Sequence, residues 1–230
     1  MDIAFKVQGG KLVREITRPD PAVVAALGKL PTSILSDCLD RMNVFQGLAS
    51  LLPGRSFAGP AVTVEEIEAG NLMSHLALQH VKPGDVLVID GKGITSRACW
   101  GGLQTFAASK KGVVGIAIDG AMRDAADVAK YNVPIYCKGV SPAGPHKGWA
   151  GRVNLPIACA GVVVNPGDII VGDADGLVAV PRELAKETLE RATAKQQVEA
   201  AWFKAVADGK DTADFLGFQD QAKKYGIEIV

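Results

Sequence analysis

Between residues 20 and 43 the apolar positions Ile34, Leu35, Cys38, Leu39 and Met42 recur at helical spacing, after openings at Asp20-Pro21 and Pro31-Thr32. Two short helices are expected there. From residue 58 the pattern changes to brief runs rich in strand-forming residues: GPAVTVEEI, GDVLVID after Pro83, VVGIAIDG, VPIYCKGV, CAGVVV and GDIIVGDADGLVAV. These predict strands. LQTFAASKKG, apolar at helical spacing and ended by Gly112, separates the second run from the third, and AMRDAADVAKYN follows the third. Strands alternating with short helices predict an α/β core.

After Pro181 the chain becomes rich in Ala, Glu, Lys and Gln, with Leu184, Leu189, Ala192, Val198 and Trp202 available for one face. This predicts a long helix ending near Gly209. The chain therefore divides into an α/β domain over residues 1–181 and a helical extension over 182–230. Such a helix offers more surface than one small core covers, so packing on a neighbouring subunit is expected. SPAGPHKGWAGRVNLPI (141–157) is dense in Gly and Pro and predicts a structured loop of the length that often carries function. KPGDVLVID and NPGDIIVGD share a Pro-Gly-Asp turn before an apolar strand, an echo too short to count as a repeat.

Composition narrows the function. At 230 residues, 48% hydrophobic and 22% charged, the chain is ordinary globular material. Its 25 basic residues equal its 25 acidic ones, so no net field gathers nucleic acid or an anionic membrane. The N-terminal MDIAFKVQGGKLVREI lacks the order of a signal peptide, and no apolar stretch approaches the roughly 20 residues that span a bilayer, so a cytoplasmic location is expected. Cys38, Cys99, Cys137 and Cys159 are scattered singly, which suits free, buried thiols better than a zinc knuckle or disulfide framework. Cys99 alone lies beside a candidate site.

That site is suggested by GIAIDGAMRDAADVAKYNVP, where a strand ends at Asp119-Gly120 and a helix is expected from near Asp124. Ligands of open α/β structures collect where strands end and helices begin. Arg123 suits bidentate grip of a carboxylate, Asp124 offers a hard oxygen to Mg²⁺ or Mn²⁺, and Asp127 shares the helix face at i+3. By residue chemistry alone the plainer reading is stronger: Asp124 as a helix cap and Arg123 as a surface partner of Asp127. Trp100-Gly101-Gly102-Leu103, directly before a helix, forms either a tight turn or a cradle for an anion. His75 and His80 lie on an apolar helical stretch and read as structural, while His146 and Lys147 sit in the Gly/Pro loop.

Gly102, the intervening residues, Arg123-Asp124 and Asp127 resemble the G-x20-R-D-x2-D/E pattern of the RraA-like family, which includes 4-hydroxy-4-methyl-2-oxoglutarate/4-carboxy-4-hydroxy-2-oxoadipate aldolases and the regulator of ribonuclease E activity. The resemblance runs from about Pro31 to Pro181. It implies an α/β/α sandwich of the swivelling phosphohistidine-domain type, assembled as a homotrimer or homohexamer. It implies a divalent metal, Mg²⁺ or Mn²⁺, coordinated by Asp124, and a small 2-oxo acid substrate whose pyruvyl part is bound by Arg123. Gly101 and the backbone amides of Gly102, Leu103 and Gln104 would hold its carboxylate, Asp127 would assist catalysis, and Glu199 would be donated by a neighbouring subunit. Many relatives carry an acid where this chain has Gly102, and Asp127 can compensate from the next helical turn.

The implied reaction is a retro-aldol cleavage of a 4-hydroxy-2-oxo diacid to pyruvate, with oxaloacetate decarboxylation passing through the same enolate. Three rivals remain. A Schiff-base aldolase would use Lys147, whose glycine-rich surroundings look solvated. A non-catalytic member would bind and inhibit a ribonuclease. A methyltransferase is disfavoured because no glycine-rich nucleotide motif follows a first strand.

Overall fold

The computed structural model describes residues 9–147 and 150–228. Part of the expected Gly/Pro loop (148–149), the first eight residues and the last two lie outside them.

In chain order the elements are β1 (Lys11–Leu12), α1 (Pro21–Leu27), α2 (Thr32–Cys38), β2 (Ala49–Ser50), β3 (Phe57–Glu65), α3 (Leu72–Ala77), β4 (Val86–Trp100), α4 (Gly102–Lys110), β5 (Gly115–Met122), α5 (Ala126–Tyr131) and β6 (Ile135–Val140). Then come β7 (Arg152–Val153), β8 (Ile157–Cys159), β9 (Val162–Val164), β10 (Ile169–Asp173), β11 (Gly176–Val180), α6 (Ala185–Ala207), α7 (Thr212–Phe215) and α8 (Phe218–Lys224). The centre is a parallel sheet, β3-β4-β5-β6. The first half of β3 pairs antiparallel with β10 and its second half with β4 and β7, so one strand belongs to two sheets.

Side-chain alternation explains the layers. On β4, Leu87 and Ile89 enter a core shared with Met73, Ala77, Ala108 and Val128 of α3, α4 and α5. Val86 and Val88 point the other way, into a core with Ile157, Val164, Ile170 and Leu177. The outer face of the β10–β11 hairpin, carrying Ile169, Val171, Val178 and Val180, is covered by Leu27, Ile34, Leu35 and Ala192 from α1, α2 and α6. Helices thus flank the molecule on both sides, as an α/β/α sandwich requires, with a second β layer inserted before the α1–α2–α6 side. Each fully buried Leu or Ile contributes about 1.5–3 kcal/mol.

Three runs fold differently from a simple strand reading. CAGVVV is the second half of the β8–β9 hairpin, turned at Ala160 and Gly161, both at positive φ as a tight two-residue turn needs. GDIIVGDADGLVAV is two strands, folded back between Asp173 and Gly176. GDVLVID does not end at Asp90: β4 continues to Trp100 through three bulges while β5 advances only from Asp119 to Met122. Bulges of this kind re-aim a strand beside a site.

The Pro-Gly-Asp echo is real in three dimensions. In both turns the glycine has positive φ (Gly84 90°, Gly167 89°), the Asp N–H donates to the first residue's carbonyl, and the Asp carboxylate accepts from that residue's N–H (2.7 Å each). Asp85 additionally holds Arg18 through two bonds of 2.8 and 2.6 Å, pinning the N-terminal segment.

Helix α6 ends at Ala207, with Gly209 at positive φ, as its composition predicts. Its packed face is Ala185, Thr188, Leu189 and Ala192, whereas Leu184 and Val198 remain exposed. The packed face is narrower than the apolar spacing predicts, and small residues dominate it where α6 meets α2. No helix among the described residues is long and apolar enough to cross a membrane.

Candidate active site

A cleft of roughly 170 Å³, room for about six waters at ~30 Å³ each, opens where β4 and β5 end. Its size suits a small organic acid. Its lining comes from the ends of β4 and β5 and the start of α4 (Trp100, Gly101, Gly102, Leu103, Gln104, Arg123 and Asp124), and from Asn71, His75, Pro145 and Lys147.

Trp100 locks the first of these two sets. Its ring is buried, its Nε1 donates to Thr105 Oγ1 at 2.9 Å, and that hydroxyl donates to the Gly101 carbonyl at 3.0 Å. The Trp100 carbonyl accepts from Arg123 N–H at 3.0 Å, which fixes where the chain leaves β5. Asp124 then adopts φ +60°, a left-handed conformation that Asp tolerates better than most residues and that often marks a functional turn. Helix α5 begins at Ala126 with Ala125 at its cap, so Asp124 does not cap its own helix. Its Oδ2 instead accepts from the Gly102 N–H, at the start of α4, at 3.0 Å. Of the three amides expected to hold a substrate carboxylate, that of Gly102 is thus engaged by Asp124, and those of Leu103 and Gln104 remain at the helix start.

Arg123 Nε stands 3.7 Å from Asp124 Oδ2, both side chains half exposed, so this pair adds little stability and leaves the guanidinium fork for a ligand. The glycines make the room. A methyl carbon on Gly101 would sit 3.0 Å from Asp124 Oδ2, and one on Gly144 would sit 2.9 Å from Arg123 Nη1. On Gly102 it would sit 2.6 Å from Asp127 Oδ2. Asp127 therefore occupies the space that a side chain at 102 would need, and Asp124 and Asp127 converge on that residue.

His75 and Asn71, which also line the cleft, lie four residues apart in the chain and are 3.3 Å from each other. Burial first, and the charge of Lys147 second, push the His75 pKa down, which favours the neutral ring. Helix α3, which carries His75 and has Asn71 at its N-cap, is tied by the fully buried Glu66, whose Oε1 accepts from the N–H and hydroxyl of Ser74 at 2.6 Å each and whose Oε2 accepts from Met73 N–H at 3.3 Å. Burial raises the Glu66 pKa.

Arg123, Asp124, Asp127, Gly101, Gly102, Leu103 and Gln104 are thus brought together. Glu199 is not. It lies on α6, 3.5 Å from Lys195, on the side of the molecule covered by α2, and lines a separate groove with Trp202 and Phe203. Its carboxylate is not part of the cleft lining. His146 is held by its backbone against Ala69 and Gly70, outside the cleft lining. Asn71 and His75 were missed as site residues, although their i, i+4 spacing in GNLMSH places both on one helix face. Cys99 is buried and its thiol is pushed up to about 12, chiefly by burial, so it is no nucleophile. All four cysteines are free and buried.

Among the described residues there is no group of three or more His, Cys, Asp or Glu poised for a metal. The fit is instead to a hard ion that keeps most of its waters: one or two carboxylates, Asp124 with Asp127 beside it, are what Mg²⁺ or Mn²⁺ sites use, whereas zinc wants three or four protein ligands.

Fold and cleft together define a mixed α/β protein with a glycine-rich helix start beside an arginine-aspartate corner. Residues 32–179 match the RraA-like family model, described as Aldolase/RraA, and the chain belongs to that family. A relative in Halalkalibacterium halodurans, named "Putative 4-hydroxy-4-methyl-2-oxoglutarate aldolase", is 38% identical over 78% of this chain and 86% of its own length. Two solved structures share the fold. An uncharacterized protein from Pseudomonas syringae pv. tomato has a TM-score of 0.74 at 30% identity over 85% of this chain and 97% of its own. Streptomyces coelicolor RraAS2, described as an unusual member of the RNase ES inhibitor RraA protein family, has a TM-score of 0.73 at 32% identity over 81% and 98%.

Proposed function

We propose that this chain is a Mg²⁺- or Mn²⁺-dependent carbon-carbon lyase that cleaves 4-hydroxy-2-oxo diacids, of the 4-hydroxy-4-methyl-2-oxoglutarate type, to pyruvate, and that also decarboxylates oxaloacetate. The observation that carries this reading is the lining of one small cleft, which holds the α4 start and Arg123 together with Lys147, Asn71 and His75. A dicarboxylate would find a basic side chain for each end of its own chain.

At the first end the Leu103 and Gln104 amides and Arg123 receive the carboxylate next to the keto group, with the helix start contributing positive potential. Arg123 also stabilises negative charge that moves onto the keto oxygen as the C3–C4 bond breaks. At the second end Lys147 holds the distal carboxylate, and neutral His75 can accept or pass a proton. Asp124 would hold the divalent ion, with Asp127 positioned beside it over Gly102. When bound, the ion supplies Lewis-acid polarisation of the keto group. Asp127, or Glu199 of a neighbouring subunit in a trimer or hexamer, would take up the C4 hydroxyl proton.

The test is pyruvate release, coupled to lactate dehydrogenase, on 4-hydroxy-2-oxo diacids and oxaloacetate with Mg²⁺ and then EDTA. EDTA abolishes turnover, and Arg123→Ala and Asp124→Ala each lower it by about 100-fold or more. Equal rates with and without chelator would sink the mechanism. Borohydride with pyruvate should leave no adduct on Lys147. The similarity to RraAS2 favours one second reading, a non-catalytic ribonuclease inhibitor; inhibition of a ribonuclease that survives Asp124→Ala, in a protein releasing no pyruvate, would establish it instead.

A further inference from the structure

Helix α3 has an asparagine where a helix cap belongs, yet that asparagine does not cap it. Asn71 stands at the N-cap position, and its side chain makes no capping bond to the helix. An asparagine there ordinarily accepts from the second or third helical N–H. Those two amides, of Met73 and Ser74, are taken instead by Glu66 Oε2 and Oε1 at 3.3 and 2.6 Å. The Ser74 hydroxyl is a third donor, and an ionised carboxylate, which only accepts, answers all three. Glu66 is itself fixed just beyond the end of β3, where its N–H donates to the Asp90 carbonyl at 3.0 Å. A fully buried acid is a costly cap when an asparagine already stands at the helix start. What the exchange releases is the Asn71 amide, whose Nδ2 lies 3.3 Å from His75 Nε2, both residues lining the cleft.

We infer that Glu66 is a positioning residue for the cleft: by capping α3 in place of Asn71, it keeps the Asn71 amide paired with His75 rather than turned back onto the helix. Without the carboxylate, Met73 and Ser74 present unpaired N–H groups within one turn of Asn71, and Asn71 reverts to the ordinary cap. His75 then loses the neighbour that orients its ring. The bearing of this exchange on turnover rests on the proposed function, in which His75 meets the substrate.

Glu66→Gln and Asn71→Ala, made singly and together, form the test. Glutamine offers a single acceptor oxygen where three donors converge. The ring nitrogens of His75, followed by NMR at neutral pH, report the loss of its partner directly. Asn71→Ala shifts them, Glu66→Gln shifts them in the same sense, and adding Glu66→Gln to Asn71→Ala moves them no further. The kcat/KM for a 4-hydroxy-2-oxo diacid follows the same pattern, about tenfold lower in each single variant and no lower in the double. A Glu66 that only braced the fold would leave the His75 signals in place, or shift them equally with and without Asn71, and the two kcat/KM losses would multiply to about 100-fold. Either result would overturn the inference. Should Glu66→Gln fail to fold, Glu66→Asp, which keeps the charge and draws it back by one methylene, takes its place in the same cycle. If wild type cleaves no diacid, the proposed function falls, and the NMR cycle decides the capping exchange by itself.

Discussion

At the scale of single residues, the site depends on a vacancy. Gly102 has no side chain, and Asp127 Oδ2 fills the space where one would project. Gly102→Ala should therefore leave the fold intact, because the atom it meets is the end of a movable carboxylate, yet push that carboxylate aside. Turnover is expected to fall by about 10- to 100-fold with little change in melting temperature; an unchanged kcat would mean Asp127 does not act. Glu66 offers a second residue-level test. Burial raises its pKa above the ordinary 4.5, so the folded state holds its proton more tightly than the unfolded chain does. The associated stability is present below pH 4.5 and is lost as pH rises through the raised value. Glu66→Gln removes that component while retaining an acceptor for Ser74. A plot of melting temperature against pH should fall less steeply from pH 4.5 to 7 in the variant than in wild type, and identical slopes would show that Glu66 titrates normally.

At the scale of elements, tight crossings matter most. A methyl carbon on Gly59 of β3 would lie 2.1 Å from the carbonyl oxygen of Gly84, a backbone atom that cannot swing away. Gly59→Ala is expected to cost about 3 kcal/mol or more in urea unfolding, whereas Gly9→Ala, which meets open space, should be neutral. Element type was largely legible in the sequence: α1, α2, α4, α6 and the strands β3, β5 and β6 follow from apolar spacing and Gly/Pro punctuation. What was not legible is non-local. The extension of β4 beyond Asp90 depends on pairing with Gly120, Ala121 and Met122, and no local signal in GKGITSRACW requires it. The same holds for the site. Arg123, Asp124 and the Gly101–Gln104 turn could be named from the chain. That Asp124 would bind α4 rather than cap α5 depends on β4 and β5 ending side by side.

At the scale of the whole molecule, the tail carries a surface that its own chain does not cover. Trp202, Phe203, Val206, Phe215 and Leu216 line a groove on α6 and α7, and Phe203 is 76% exposed. With Glu199 in the same groove, assembly through this face would also bring that carboxylate to another subunit. Light scattering after size exclusion is expected to show a trimer or hexamer, with Phe203→Glu and Val206→Glu together producing monomers that have lost most activity. Full activity in a monomer would remove Glu199 from the site.

The divided pairing of β3 has a consequence for the ribosome. Phe57–Pro60 must wait for Ile169–Gly172 to be synthesised, a delay of roughly 5–20 s at ordinary elongation rates. During that interval the nascent sheet has an unpartnered edge, and Ala61, Val86 and Val88 lack the second layer that will cover them. The chain is therefore expected to complete its domain in one late step after β11 emerges. Messages truncated before Val180 should yield protease-sensitive products, a dependence on the last strands that ties early-made residues to chaperone protection until the hairpin arrives.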